Sequence, residues 1–205
     1  MNHITTREVV LASNNAGKLR EFSAILASAG INMIAQGTLG VPEAEEPHAT
    51  FVENALAKAR HACQHTGRPA LADDSGLCVP SLGGAPGVYS ARYASMNGGE
   101  KSDLANNLRL VSQLQDVDDR RAYYVAVLVY VESADDPCPI IAEGRWHGEI
   151  VDAPRGGNGF GYDPYFWLPD SRCTVAELDP AEKNRISHRG RALQSLLAQL
   201  RAYSA

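Results

Sequence analysis

The chain has 205 residues, of which 44% are apolar, a share that suffices for a packed core and excludes an intrinsically disordered chain. Its 19 Lys and Arg against 24 Asp and Glu give a net charge of −5, which argues against a protein that binds nucleic acid through a basic surface. The first residues lack the charged and apolar regions of a signal peptide, and no apolar run reaches the roughly 20 residues that span a bilayer, so we expect a soluble cytoplasmic protein without membrane contact.

The first third of the chain has the pattern of a strand, a helix, a second strand and a second helix. Gly30 is typical of a residue that ends a helix, and Thr50 is typical of one that precedes a helix. The predicted elements are a strand over 9–12, a helix over 19–29, a strand over 31–35 and a helix over 51–65, with an acidic, turn-rich segment over 37–48. This order predicts a β-α-β start.

The remaining chain alternates between further strands, helices and two glycine-rich segments. A strand over 69–72 is predicted to end at Asp73 and Asp74, which would place both carboxylates at the carboxyl end of a strand. The other predicted elements are an irregular segment over 82–99, a helix over 101–115, an antiparallel hairpin over 122–132 and 140–150, a loop over 156–164 and a helical region over 179–203 with a break near Ser187. We expect an α/β fold with a mixed sheet, in a single domain over 1–205.

A candidate phosphate site lies between the first strand and the first helix. Free backbone N–H groups, the helix dipole and a lysine attract phosphate at such a point. The residues are Ser13, Asn14, Asn15, Ala16, Gly17 and Lys18. The segment is not a Walker A loop, because Leu19 follows the lysine where that motif has Ser or Thr. The alternative is an Asn-rich turn with a solvated lysine.

Carboxylates from two segments could share one Mg²⁺ ion. Carboxylate oxygens are hard ligands that hold magnesium together with substrate phosphates. The candidates are Asp73 and Asp74 from one segment and Glu43, Glu45 and Glu46 from the acidic segment. The alternative for the glutamates is a solvated surface. Lys58, near the buried side of the second predicted helix, either points into a cleft or extends along the surface to solvent.

The loop over 156–164 and the last helical region could hold a purine base. Phe160 or Tyr162 offers a flat ring for stacking, and Asp163 could accept hydrogen bonds from base N–H groups. A keto oxygen at purine C6 would accept from donors of the kind clustered in the last region, whereas the amino group of adenine would not. Those donors are Lys183, Ser187, His188 and Arg189. The alternatives are a structural turn with a buried aromatic ring and a solvated basic helix face.

Six segments match, in order, the motifs of one known family. They are SNNAGK at 13–18, FVENA at 51–55, ADDSGL at 72–77, PGVYSARY at 86–93, GFGYDP at 159–164 and SHR at 187–189. The chain resembles the inosine triphosphate pyrophosphatase family over about residues 9–200, and the joint occurrence of the motifs makes the match specific. The resemblance implies an elongated mixed sheet flanked by helices, two lobes with a central substrate cleft, and a homodimer.

The resemblance also implies roles for individual residues. It assigns Asp74 as proton acceptor and magnesium ligand, Glu46 as a second ligand, and Lys18 as a catalytic group that neutralises phosphate. The implied substrate-binding residues are Ser13, Asn14, Asn15, Ala16, Gly17, Lys18, Lys58, Ser75, Phe160, Gly161, Tyr162, Asp163, Lys183, His188 and Arg189. Ser13 stands where the family commonly has Thr, and it presents the same kind of hydroxyl.

The activity that the resemblance implies is Mg²⁺-dependent hydrolysis of the non-standard purine nucleotides ITP, dITP and XTP to monophosphate and pyrophosphate. Such an enzyme cleanses the nucleotide pool and prevents misincorporation into DNA and RNA. Two alternatives stay open: a Maf-type pyrophosphatase for other modified nucleotides, and a non-catalytic nucleotide sensor. The paired carboxylates weigh against the sensor.

Overall fold

The structure is a computed structural model that describes residues 7–203 and contains seven strands and five α-helices in that range. The strands are β1 (Arg7–Leu11), β2 (Ile31–Ala35), β3 (Ala70–Cys78), β4 (Arg121–Val131), β5 (Ile140–Ile150), β6 (Phe166–Leu168) and β7 (Cys173–Thr174). The helices are α1 (Ala16–Leu26), α2 (Phe51–Thr66), α3 (Asp103–Gln113), α4 (Pro180–Ile186) and α5 (His188–Tyr203). Within these residues no helix combines the length and hydropathy that a membrane crossing needs.

The seven strands form one sheet in the order β2-β1-β3-β4-β5-β6-β7. β1 is parallel to both neighbours, with Val10 opposite Ile34 on β2 and Leu11 opposite Leu71 on β3. β6 is antiparallel to β5 and to β7. The sheet is therefore mixed and flanked by helices, which confirms the expected fold class and the β-α-β start.

The chain divides into two compact units, each made of segments that are separate in sequence. The first unit contains the residues up to Asp74, Ala126–Gly144 and the residues from Arg191; the second contains Ser75–Val125 and Arg145–Gly190. Each unit has its own apolar cluster. Members of the first cluster include Val9, Leu11, Phe22, Leu26, Leu193 and Leu196, and members of the second include Leu77, Leu110, Trp146, Phe166 and Val175. The single domain expected over 1–205 stays a prediction.

Local chemistry explains where the helices begin and end. Thr50 precedes α2 and its hydroxyl accepts from the Glu53 N–H, while Gly30 has a left-handed φ of 72° after the turn that follows α1. The expected break near Ser187 is confirmed, since that residue has an extended backbone between α4 and α5. A side chain on Gly190 would clash with the Asn184 carbonyl, so this glycine permits close packing of the two helices.

The expected end of β3 is wrong: the strand does not end at the aspartates but continues through them to Cys78. An apolar-run criterion ends a strand where charge begins, whereas a strand can contain charged side chains that find partners. The side chain of Asp73 is fully buried and that of Asp74 is 13% exposed, and a lysine contacts each. The two carboxylates therefore lie inside β3 and point to opposite faces of the sheet.

Candidate active site

Lys58 brings the acidic segment and β3 together in the first unit. Its Nζ lies 2.7 Å from Oε1 of Glu46, 2.9 Å from Oδ1 of Asp74 and 2.9 Å from the Asp73 carbonyl oxygen. An ammonium group has three protons, and these three acceptors account for them. The side chain is only 13% exposed, so Lys58 does not extend to solvent but holds the carboxylates of Glu46 and Asp74 beside each other.

Only one of the two oxygens of the Asp74 carboxyl has a hydrogen-bond partner among residues 7–203. Its Oδ1 accepts from Lys58, whereas its Oδ2 is buried and has no hydrogen-bond partner among residues 7–203. Burial raises the pKa of this carboxyl against the opposing effect of Lys58. Burial alone would lower the pKa of Lys58, but the carboxylates of Asp74 and Glu46 outweigh it and raise that pKa. A buried carboxylate oxygen in this state can accept a proton or hold a cation.

Lys18, the predicted phosphate-neutralising lysine, forms an ion pair with the aspartate that precedes Asp74. Its Nζ lies 2.7 Å from Oδ2 of Asp73, whose side chain is fully buried, while 24% of the lysine side chain stays exposed. The adjacent aspartates of β3 are thus bound by different lysines, Asp73 by Lys18 and Asp74 by Lys58. The ion pair with the buried Asp73 carboxylate therefore fixes the position of the Lys18 ammonium group.

The segment before α1 supplies the residue that caps the start of this helix, Asn15. Oδ1 of Asn15 accepts from the N–H groups of Gly17 at 2.8 Å and Lys18 at 3.0 Å, and the N–H of Asn15 donates to Oγ of Ser13 at 3.2 Å. Three of the amides expected to face phosphate are therefore used internally. Asn14 lies against Gly37, where any added side chain would clash with its carboxamide. The phosphate-binding role of this segment stays a prediction.

Replacing Asn15 separates capping from phosphate binding. Asn15→Ala removes the acceptor for two amides and is expected to lower the free energy of unfolding by about 1 kcal/mol, whereas Asn15→Asp keeps a good capping residue and should preserve it. If the segment also binds the triphosphate, the added negative charge in Asn15→Asp should raise KM at unchanged stability. Chemical denaturation and steady-state kinetics measure the two effects, and an unchanged KM in both variants would contradict the phosphate role.

In the second unit, Asp163 is the anchor of the glycine-rich loop. Its Oδ1 accepts from the Tyr124 hydroxyl at 3.2 Å, and its Oδ2 accepts from the Phe160 N–H at 2.9 Å and from Nζ of Lys183 at 2.6 Å. The residue is 3% exposed. A side chain on Gly159 would clash with this carboxylate. Asp163 thus joins the loop to β4 and α4, and the expectation that it accepts from a base stays a prediction.

The two aromatic rings of this loop have different environments. Phe160 is 65% exposed, and Nζ of Lys183 lies 4.7 Å from its ring centroid. Gly159 and Gly161, on either side of it, have left-handed φ values of 80° and 62°. Tyr162 is buried and donates its hydroxyl to the Ser90 carbonyl at 2.8 Å. Phe160 is therefore the ring that is exposed enough to stack on a ligand, whereas the Tyr162 ring is part of the packed interior.

Three of the donors predicted around the last helices are buried or partly buried and have partners within the second unit. His188 is buried and its ring stacks on Tyr124, with centroids 4.8 Å apart. Nη2 of Arg189 donates to Oγ of Ser75 at 3.3 Å, which links two of the predicted substrate residues. Ser187 is buried and its Oγ accepts from the Gly190 N–H. Direct contact of these residues with a purine stays a prediction.

Three residues of the second unit support the loop although the sequence patterns above do not single them out. Tyr124 lies in the apolar run of β4, where nothing distinguishes it; its burial, with the Asp163 carboxylate beside it, raises the pKa of its hydroxyl, which therefore stays a donor. Asp103 and Asn107 on α3 contact Gly161. Asn107 could have been found from the sequence pattern, because it lies three residues before Leu110 and so places an amide on the apolar side of the helix.

Comparison with known proteins places the chain in a family. The model of the Ham1 family matches residues 9–199. The dITP/XTP pyrophosphatases of Bordetella pertussis and Burkholderia pseudomallei are 68% and 69% identical to the chain, over 96% and 94% of its length and 92% of theirs. A solved HAM1 protein from Coxiella burnetii has a TM-score of 0.91 and 48% identity over 96% of this chain and 99% of that one. The resemblance seen in the motifs is confirmed, and the chain belongs to the Ham1 family.

Proposed function

We propose that this protein hydrolyses the non-standard purine nucleotides ITP, dITP and XTP to the nucleoside monophosphate and pyrophosphate, and so keeps them out of DNA and RNA. The names of the relatives from Bordetella pertussis and Burkholderia pseudomallei support this substrate class. The observation that supports the chemistry is the carboxyl of Asp74, with one oxygen bound by Lys58 and the other without a hydrogen-bond partner among residues 7–203.

In the proposed reaction Asp74 acts as a general base. Its Oδ2 accepts a proton from a water molecule, the water oxygen forms a bond to the α-phosphorus, and the bond from that phosphorus to the bridging oxygen breaks. The electron pair of the broken bond leaves with pyrophosphate. Lys58 keeps the Asp74 carboxylate oriented, and Lys18, with part of its side chain exposed, supplies positive charge to the phosphates.

We propose Mg²⁺ as the cofactor, with Asp74 and Glu46 as its protein ligands. Within residues 7–203 no three His, Cys, Asp or Glu side chains are grouped as a metal site. Two carboxylates nevertheless fit this ion, because magnesium is commonly held by one or two carboxylates together with waters and substrate phosphates. Glu46 and Asp74 lie on the same lysine and could supply these two carboxylates. Bound there, the ion would neutralise charge on the phosphates.

We propose that residues of the second unit recognise the base. The exposed ring of Phe160 would stack on the purine, and Lys183 or Arg189 would donate to a keto oxygen at C6, which ITP and XTP have and ATP lacks. Guanine also has this oxygen, so its rejection requires a further contact with the 2-amino group or with the pocket shape.

Truncating Phe160 tests the stacking role without disturbing the fold. Phe160→Ala is expected to raise KM for ITP about 10-fold or more, since stacking of a base on an aromatic ring is a substantial part of binding. The melting temperature should change little, because 65% of the residue is exposed. Phe160→Trp keeps a flat ring and should retain KM near that of the parent. An unchanged KM in the alanine variant would contradict stacking at this position.

A substrate comparison tests the function itself. Pyrophosphate release is measured from ITP, dITP, XTP, GTP, ATP, dUTP and modified pyrimidine triphosphates, each with Mg²⁺ and with EDTA. Preferential turnover of the first three, with Mg²⁺ only, is the expected result. Preference for modified pyrimidines would favour the Maf-type alternative, and binding of ITP without turnover would favour the sensor.

We also propose that the protein is a cytoplasmic homodimer, as the family resemblance implies. Light scattering coupled to size-exclusion chromatography measures the mass in solution, and a value near twice the 22.0 kDa of the chain is expected. A mass near that of one chain would contradict the dimer.

A further inference from the structure

The first residues of α3 hold the backbone on one side of Phe160. Oδ2 of Asp103 accepts from the Gly161 N–H at 2.7 Å, and Nδ2 of Asn107 donates to the Gly161 carbonyl oxygen at 2.8 Å. Nδ2 of Asn107 also donates to the Asp103 carbonyl oxygen at 2.8 Å. Both polar backbone groups of Gly161 are thus bound by side chains of one helix.

These contacts complete a two-sided support of the Phe160 ring. On the other side, the Phe160 N–H donates to Asp163. Gly161 has a left-handed φ of 62°, and because glycine can adopt many other backbone conformations, specific bonds are needed to hold it in this one. With the peptide before Phe160 held by Asp163 and the residue after it held by α3, the Cα–Cβ direction of the exposed ring is fixed.

Asn107 is the buried member of this support. It is 3% exposed, whereas Asp103 is at the surface. The two carbonyl oxygens that it faces require its NH₂ group on that side, which leaves Oδ1 buried with no hydrogen-bond partner among the residues described. A leucine at this position would bury no unpaired oxygen. The presence of an amide is therefore explained by its two donors, one of which holds the loop.

We propose that Asn107, assisted by Asp103, is a positioning residue that sets the Phe160 ring for the base of the substrate. It touches Gly161 and not the nucleotide, and it acts through the backbone of the loop. This inference rests on the proposed function, because the ring is assigned there to base stacking. It predicts that loss of the Asn107 donors weakens recognition of the base and leaves the phosphate chemistry intact.

Asn107→Asp tests the inference with almost no change in shape, because it replaces two donors by a carboxylate that faces two carbonyl oxygens. KM for ITP is expected to rise roughly fivefold to tenfold, the effect of losing a hydrogen bond that orders a binding group, while kcat stays near that of the parent. Inorganic tripolyphosphate, which carries no base, should inhibit variant and parent with the same constant. Asn107→Leu should behave in the same direction, and Leu108→Ala, an exposed change on the same helix, should have no effect.

An unchanged KM in both Asn107 variants overturns the inference, as does an equal loss of ITP and tripolyphosphate binding, which would indicate general damage. Hydrogen exchange of the loop over 156–162 gives a readout that needs no activity. Faster exchange in Asn107→Asp, with the rest of α3 unchanged, is expected, and unchanged loop exchange overturns the inference. If the parent does not hydrolyse ITP, the proposed function fails on its own, and the exchange measurement still decides the support of the loop.

Discussion

Asp74→Asn is expected to lower pyrophosphate release from ITP by at least ~100-fold, the usual contribution of a general base. Asparagine keeps the size and one carbonyl oxygen, so the contact with Lys58 can remain, but its side chain cannot accept the proton of an attacking water. The change should cost less stability than loss of Lys58, because burial disfavours the charged form of this carboxyl and Lys58 keeps its contact with Glu46. Rate and melting temperature should thus respond in different ways.

The matched control for this variant is Asp116→Asn, an exposed aspartate beyond the end of α3. It makes the same chemical change away from the candidate site and should leave turnover at the parent value. Steady-state release of pyrophosphate and thermal unfolding are measured for both variants. Turnover by Asp74→Asn within about tenfold of the parent would remove Asp74 from the base role.

Lys58→Met is expected to damage stability and activity together. The thioether fills a similar volume, but the carboxylates of Asp74 and Glu46 then lie beside each other without the ammonium group that contacts both. Removing one partner of a largely buried ionic group is strongly destabilising, so the free energy of unfolding should fall by about 3–5 kcal/mol. Turnover should fall at least ~10-fold, because the carboxylate of Asp74 loses the contact that orients it.

The double variant Lys58→Met, Asp74→Asn distinguishes lost neutralisation from lost packing. With the Asp74 charge also removed, most of the stability missing in Lys58→Met should return, although turnover should not. Denaturant unfolding of the parent, both single variants and the double variant gives the coupling free energy between the two residues. Additive losses in that cycle would show that Lys58 stabilises the fold through packing alone.

Sequence patterns predicted most helices and strands because their signals are local. Thr50 marks the start of α2 as predicted, whereas α1 ends at Leu26 and Gly30 ends the 3-10 turn that follows it. The extent of β3 was not predictable in the same way. Whether Asp73 and Asp74 can continue a strand depends on lysines from α1 and α2, and no local pattern contains that information.

In the candidate site, too, sequence patterns predicted which residues matter but not their tertiary contacts. Residue types and motifs predicted roles for Asp74, Lys18 and Phe160, but not which groups they contact. That Lys58 binds Glu46 and Asp74 at once follows only from the three-dimensional path of the acidic segment. Tertiary contacts of this kind, between residues distant in sequence, decide which polar atoms stay available to a ligand.

The composition of the first unit has a consequence for synthesis of the chain on the ribosome. Phe22 and Leu26 of α1, which ends at Leu26, pack in one cluster with Leu193 and Leu196 of α5, which begins only at His188. The second unit has all its segments once Gly190 has emerged, whereas the first lacks part of its core until α5 follows. The apolar sides of Phe22 and Leu26 therefore stay partly uncovered until α5 has been translated, a period in which aggregation competes with folding.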